Sequence, residues 1–169
     1  MIPANGYMLV EQSYHMKEDA GNEYQGDTMS FKIDVRAEQL TGTAWLENKT
    51  DAPDYKIIHG DGVEGTLTYE VKHPTFKFSF TGKAPKAGTN YTLLHAVDPW
   101  PQIGSQVLGT GVTDGSGNIT ITGDLNTGDM KDAKVWLILS SDWNGTQMTA
   151  WHQTDYLLET GLIWYEDTD

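Results

Sequence analysis

The sequence predicts an all-β fold, an antiparallel β-sandwich of jelly-roll or Ig-like type with about ten strands and little or no helix. Three observations predict it. Apolar residues alternate with a period of two. Turn signals recur at roughly the 8–12-residue spacing of sandwiches and barrels. No window carries a convincing helical stripe.

Along the chain, Tyr7–Met16 is the first strand candidate, opening on the apolar patch Tyr7-Met8-Leu9-Val10. Phe31, Ile33, Val35 and Ala37 alternate with Lys32, Asp34, Arg36 and Glu38, as a strand with one wet face should. Thr41–Leu46 follows. Val63–Val71 repeats the alternation through Leu67, Tyr69 and Val71, and Phe76, Phe78 and Phe80 repeat it against Lys77, Ser79 and Thr81. Tyr91–Val97 and Gln106–Val112 come next, then Ile119–Thr122, which alternates two strong strand formers. Lys134–Ser140 is a continuous apolar run, suited to a central strand buried on both faces. Asp155–Leu158 and Leu162–Tyr165 complete the set. Gly60-Asp61-Gly62, Gly82–Pro85, Asp114–Asn118 and Asn144-Gly145 supply turns between strands. A turn of helix fits only near Glu18–Asn22 or Asp129–Asp132. The expected core is Phe31, Ile33, Val35, Leu67, Phe76, Phe78, Phe80, Leu93, Val135, Leu137 and Leu139. Residues 1–169 read as one domain, with a candidate seam at the polar, proline-containing stretch 48–54.

Composition narrows the function. The chain has 24 acidic and 11 basic residues, a net charge of −13 and a pI near 4.5. Such a field repels nucleic acid and anionic lipid and attracts cations. The absence of cysteine excludes disulfides, thiol catalysis and thiolate zinc sites. No stretch approaches the roughly 18 apolar residues of a membrane span, so membrane insertion is not expected. Residues 1–6 lack the charged start and apolar run of a signal peptide, so in an exported protein Met1 would be the start of an excised fragment.

Tryptophan is the most informative residue type. Trp136 belongs to the core run, and Trp45 and Trp164 fall in alternating strands, where half-burial is expected. Trp100, Trp143 and Trp151 lie in polar, turn-rich surroundings such as Asp98-Pro99-Trp100-Pro101. Aromatic platforms beside Asp and Asn hold sugars, while at a protein interface they act as anchors; the plain alternative is that they plug the ends of the sandwich. Asp114, Ser116 and Asn118 carry oxygen at alternate positions, like the first half of a calcium loop. The twelfth position, where such a loop has its glutamate, holds Leu125. The segment reads first as a hairpin turn and second as a calcium site. Other carboxylates cluster at Asp51, Asp54 and Asp61, at Asp124, Asp129 and Asp132, and at Glu166, Asp167 and Asp169. The histidines show no metal-ligand spacing, although a sandwich could bring His95 and His152 together. No HExxH, GxSxG or phosphate loop occurs, so no catalytic grouping is expected. Sequons at Asn48, Asn90, Asn118 and Asn144 favour an exported glycoprotein.

The segment Asn22–Phe31, followed by Ala37-Glu38-Gln39, resembles the TasA and camelysin families, secreted β-sandwich proteins that build extracellular fibres. The rest is similar to a domain of cell-surface proteins of methanogenic archaea, through Tyr91–Leu94, Asp98–Pro101, Leu108–Gly111, Asp114–Ile119 and Ala133–Trp143. The resemblance implies a filament or matrix role rather than a protease. The expectation is therefore a non-catalytic extracellular structural or assembly domain of a microbial surface layer, filament or matrix. Its partner would be a second copy or another surface protein, joined by a donated strand such as Tyr7–Val10. The alternative is a glycan- or calcium-binding module.

Overall fold

The computed structural model describes Lys32 and residues 40–169. The chain parts into Met1–Ala37 and Glu38–Asp169, and every strand described belongs to the second. The expectations for Tyr7–Met16, Glu18–Asn22, Phe31, Ile33 and Val35 lie outside the described residues, as does nearly all of the TasA-like segment.

The described chain is all-β. Its strands are β1 (Thr41–Glu47), β2 (Glu64–Glu70), β3 (Lys72–His73), β4 (Phe76–Lys83), β5 (Asn90–Ala96), β6 (Gln106–Val112), β7 (Asn118–Leu125), β8 (Met130–Leu139), β9 (Leu157–Glu159) and β10 (Ile163–Asp167). Hydrogen bonds link them in the order β3-β10-β8-β9-β1-β2-β4-β7, with β5 beside β8 and β6 beside β5. All pairs are antiparallel except β10 with β3. Two 3₁₀ turns, Ser140–Asp142 and Gln153–Asp155, are the helical elements among the described residues.

The period-two pattern sets the register. Ala44, Leu67, Phe80 and Ile121 stand opposite one another across β1, β2, β4 and β7, and all are buried. Thr43, Thr68, Ser79 and Thr122 form the neighbouring row on the outer face. A one-residue slip would exchange the two rows and expose the core, so the register is strongly specified. The expected core residues from Leu67 to Leu139 are all buried, each contributing on the order of 1.5–3 kcal/mol.

The run in β8 is buried on both faces as expected, and β5 is too. Leu93 opposes Leu137 on one face, and Leu94 opposes Trp136 on the other. The second face is covered by the chain that follows β8. Thr92 and Ser140 share a hydrogen bond of 2.8 Å between their hydroxyls, and the Trp151 ring lies 5.7 Å from that of Trp136. The stretch 48–54 is tied to this cover. Asn48 donates from Nδ2 to the carbonyls of Thr154 and Tyr156, and Gln153 donates to the Thr50 carbonyl.

Several expectations are corrected. Trp45 and Trp164 are exposed, at 55% and 53%. Each sits between two buried neighbours, Ala44 and Leu46 or Ile163 and Tyr165, so the alternation turns the ring outward. Lys131 Nζ lies 5.6 Å from the centre of the Trp164 ring. Asp129–Asp132 is not helical. Met130 already belongs to β8, and Asp132 takes a positive φ of 50° where the register with β10 shifts. That is a bulge, and aspartate tolerates its backbone better than most residues.

Candidate functional site

The covered side of β8 opens into a cleft of about 710 Å³, inside the range of roughly 300–1,000 Å³ typical of small-molecule sites. Its floor is Trp136 of β8 and Leu158 of β9, which are cross-strand partners. The loop after β5 contributes Asp98, Pro99, Trp100 and Gln102, and the loop after β1 contributes Lys49 and Tyr55. Trp151, Lys134 and Glu159 complete the lining.

Trp151 is the centre of an aromatic cluster. Its ring lies edge-on to Trp100 at 6.0 Å and to Tyr156 at 5.4 Å, besides its tilted contact with Trp136. These offset geometries suit ring quadrupoles. Trp151 Nε1 donates to Gln153 Oε1, which fixes the indole. The loop carrying it is clasped by the buried Asp142 carboxylate, which accepts the Tyr156 hydroxyl and bonds His152 Nδ1 at 2.7 Å. Burial, strengthened by the Asp142 carboxylate, holds the Tyr156 hydroxyl far above its ordinary pKa, so it remains a donor. Trp100 is the accessible member, at 50%.

The polar lining is incompletely satisfied. Lys134 Nζ pairs with Asp98 Oδ2. Lys49 Nζ reaches the Glu159 carbonyl at 3.5 Å, and burial lowers its pKa. Glu159 is 7% exposed and its pKa is raised, chiefly by burial, with the Gly161 backbone, Lys49 and Lys134 opposing the rise. The Glu159 side chain belongs to the other face of β9, since its cross-strand partner is the fully buried Leu46, while Leu158 beside it faces Trp136. In the cleft itself Gln102 is 4% exposed and its Oε1 has no hydrogen-bond partner.

No family model, curated protein or solved structure matches the chain. The cleft must be read on its own chemistry.

Of the residues expected from sequence, Trp100, Trp151 and Asp98 meet in this cleft. Trp143 does not line it. That ring is half-buried against the core, and a bridge to Met148 holds its backbone. Gln102, Glu159, Lys49, Lys134 and Tyr55 were not anticipated. One signal was legible: a strand apolar on both faces needs a cover, and a tryptophan-rich segment follows it directly.

The Asp114 segment is a turn that satisfies itself. Asp114 Oδ1 accepts from the backbone N–H of Ser116 and Asn118, and Oδ2 accepts from Asn118 Nδ2. These bonds hold the carboxyl below its usual pKa. Among the described residues no three His, Asp or Glu side chains converge as a metal site. Asn48 is corrected as a glycosylation candidate, because its side chain is 4% exposed and its Nδ2, the atom a glycan would take, is engaged inside the fold. Asn90, Asn118 and Asn144 are exposed. Asn118 Nδ2 is committed to Asp114, and Asn144 uses its Oδ1 to cap Thr146 and Gln147.

Proposed function

We propose that this protein is an extracellular, non-catalytic binding module of a microbial surface, and that its tryptophan cleft holds a sugar. One observation carries the reading: Trp100, Trp136 and Trp151 share a cleft with Gln102, whose Oε1 has no hydrogen-bond partner. A sugar ring offers an apolar C–H face to stack on an indole and hydroxyls at its edge to meet such an oxygen. The aromatic wall is held before any ligand arrives, since Trp151 is fixed by Gln153 and its loop by Asp142. A site pinned in this way loses little freedom on binding. Export is supported by the exposed sequons at Asn90 and Asn144. The assembly reading draws on the all-β pattern, the acidic charge, the sequons and the TasA-like segment, with Tyr7–Val10 as the strand to be donated. Tyr7–Val10 and, apart from Lys32, the TasA-like segment lie outside the described residues.

Tryptophan fluorescence and calorimetric titration with soluble polysaccharides test the proposal. Stacking and area burial at one indole are each worth on the order of 1–2 kcal/mol, so Trp100→Ala should weaken binding about tenfold or more. Trp45→Ala, at an exposed ring of β1 that does not line the cleft, should leave it unchanged. Failure of every sugar to bind, or equal effects of the two substitutions, would sink the proposal.

A further inference from the structure

Resting on that reading of the cleft, we infer that its ligand is an acidic sugar, whose carboxylate or sulfate meets the ammonium of Lys49. The chain has 24 acidic residues, and most described lysines have found one. Lys56, Lys77, Lys86 and Lys131 each lie within 3.4 Å of a carboxylate oxygen, and Lys134 pairs with Asp98. Lys49 has no such partner among the described residues. Its Nζ approaches the Glu159 carbonyl at 3.5 Å, long against the usual range of about 2.7–3.2 Å. The Glu159 carboxyl does not fill the gap: it turns to the core face beside Leu46, and burial pushes it toward its neutral form. An ammonium carries three donors, so at least two of Lys49's remain for a ligand.

Lys49 and Lys134 line the cleft together, and Lys134 shares a face of β8 with Trp136, two residues on. Asp98 is already committed to Lys134, so the two ammoniums face one carboxylate. Burial lowers the Lys49 pKa; Glu159 opposes the fall, Lys134 adds to it and Glu47 opposes it. A bound anion would reverse the shift by favouring the charged form. The remaining groups ask for a sugar rather than a bare anion. Gln102 presents a buried Oε1 that needs a donor, which a sugar hydroxyl supplies. Trp100 presents a half-exposed indole to the C–H face of the ring. A neutral hydroxyl could also accept from Lys49, but a charge-assisted bond is about twice as strong. An amino sugar would set a further ammonium against the two lysines. The chain's net charge of −13 weakens attraction from afar, yet salt screens it beyond about 8 Å under physiological conditions, so the groups inside the cleft decide.

The test is calorimetric titration of the intact chain with oligosaccharides of matched length. Probes would be galacturonate and mannuronate oligomers, sulfated galactose oligomers, and the neutral galactose and mannose oligomers. At least one acidic form should bind at least tenfold more tightly than its neutral counterpart, and the uronate and sulfate arms tell which anion the cleft takes. Lys49→Met, which keeps the apolar stem and removes the charge, should cut acidic binding to the level of the neutral sugar. Lys49→Arg, which keeps the charge, should retain the preference. Raising the salt concentration should narrow the gap between acidic and neutral forms on the native protein, a measurement that needs no variant. A neutral sugar that binds as tightly as the acidic one, or a preference that survives Lys49→Met or ignores salt, overturns this inference. If that binding is still weakened by Trp100→Ala, the sugar cleft stands. No binding by any form overturns both.

Discussion

At the scale of single residues, the same side-chain chemistry leads to opposite outcomes depending on what surrounds it. Asp114 is an exposed carboxylate saturated by its own turn, whereas Glu159 is buried with an oxygen left over. Because the folded-state pKa of Asp114 is depressed, its stabilisation is present above the unfolded pKa and fades as pH falls through the folded one. Asp114→Asn should therefore lower the melting temperature at neutral pH, and the difference from the native chain should shrink in acid. Melts in EDTA and in millimolar calcium should coincide at matched ionic strength, since nothing in this turn awaits a cation; a shift of several degrees would return calcium to the loop. Trp100, Trp151 and Asp98 were legible as site residues because aromatic rings in polar turns are unusual locally. Gln102 was not, because an orphan oxygen is a property of three-dimensional surroundings and leaves no mark on spacing.

At the scale of elements, glycine and aromatic residues pair across the strands. Gly42 faces Tyr69 and Gly123 faces Phe78. A Cβ on Gly123 would lie 2.4 Å from the Phe78 ring, and one on Gly42 would lie 2.3 Å from that of Tyr69. The large ring fills the space over the bare backbone, restoring the packing that glycine lacks. Phe78 also stacks on Phe76 at 5.4 Å. Phe78→Ala should thus cost about 3–5 kcal/mol in urea melts, and Gly123→Ala about 1–3 kcal/mol by overpacking. In a Phe78→Leu background the Gly123→Ala penalty should shrink; simple additivity would show that ring and glycine are not coupled. The strands themselves were legible from alternation and turns. Their glycines were not, because a glycine in a strand can equally mark a bulge. The outward phase of Trp45 and Trp164 lies in the alternation itself, from which only half-burial is expected.

At the scale of the molecule, a hydrogen-bonded path also runs from β6 through β5 into β8 and on to β7, and these two ends meet. A Cβ on Gly109 would fall 2.6 Å from Ile121, and one on Gly111 would fall 3.1 Å from it. Two small residues let β6 lie against β7 without a ladder between them. All-β content was readable from periodicity; strand order was not, since pairing partners far apart in sequence share no local pattern. The described core runs from Ala44 to Tyr165 within the second unit. A chain starting at residue 38 should consequently unfold cooperatively, with a urea midpoint close to that of the whole protein. A non-cooperative transition would show that the first unit completes the core.

The junction of β1 with β9 bears on how the molecule is made. Leu46 and Glu47 pair with Glu159 and Leu158, more than a hundred residues later in the chain. The β1-β2-β4 hairpins can close as they emerge, yet one flank of β1 must wait, bare, until β9 has been made. Nascent chains stalled before β9 would carry that open flank into a crowded cytosol or export channel, where a holdase chaperone or a neighbouring nascent chain could capture it.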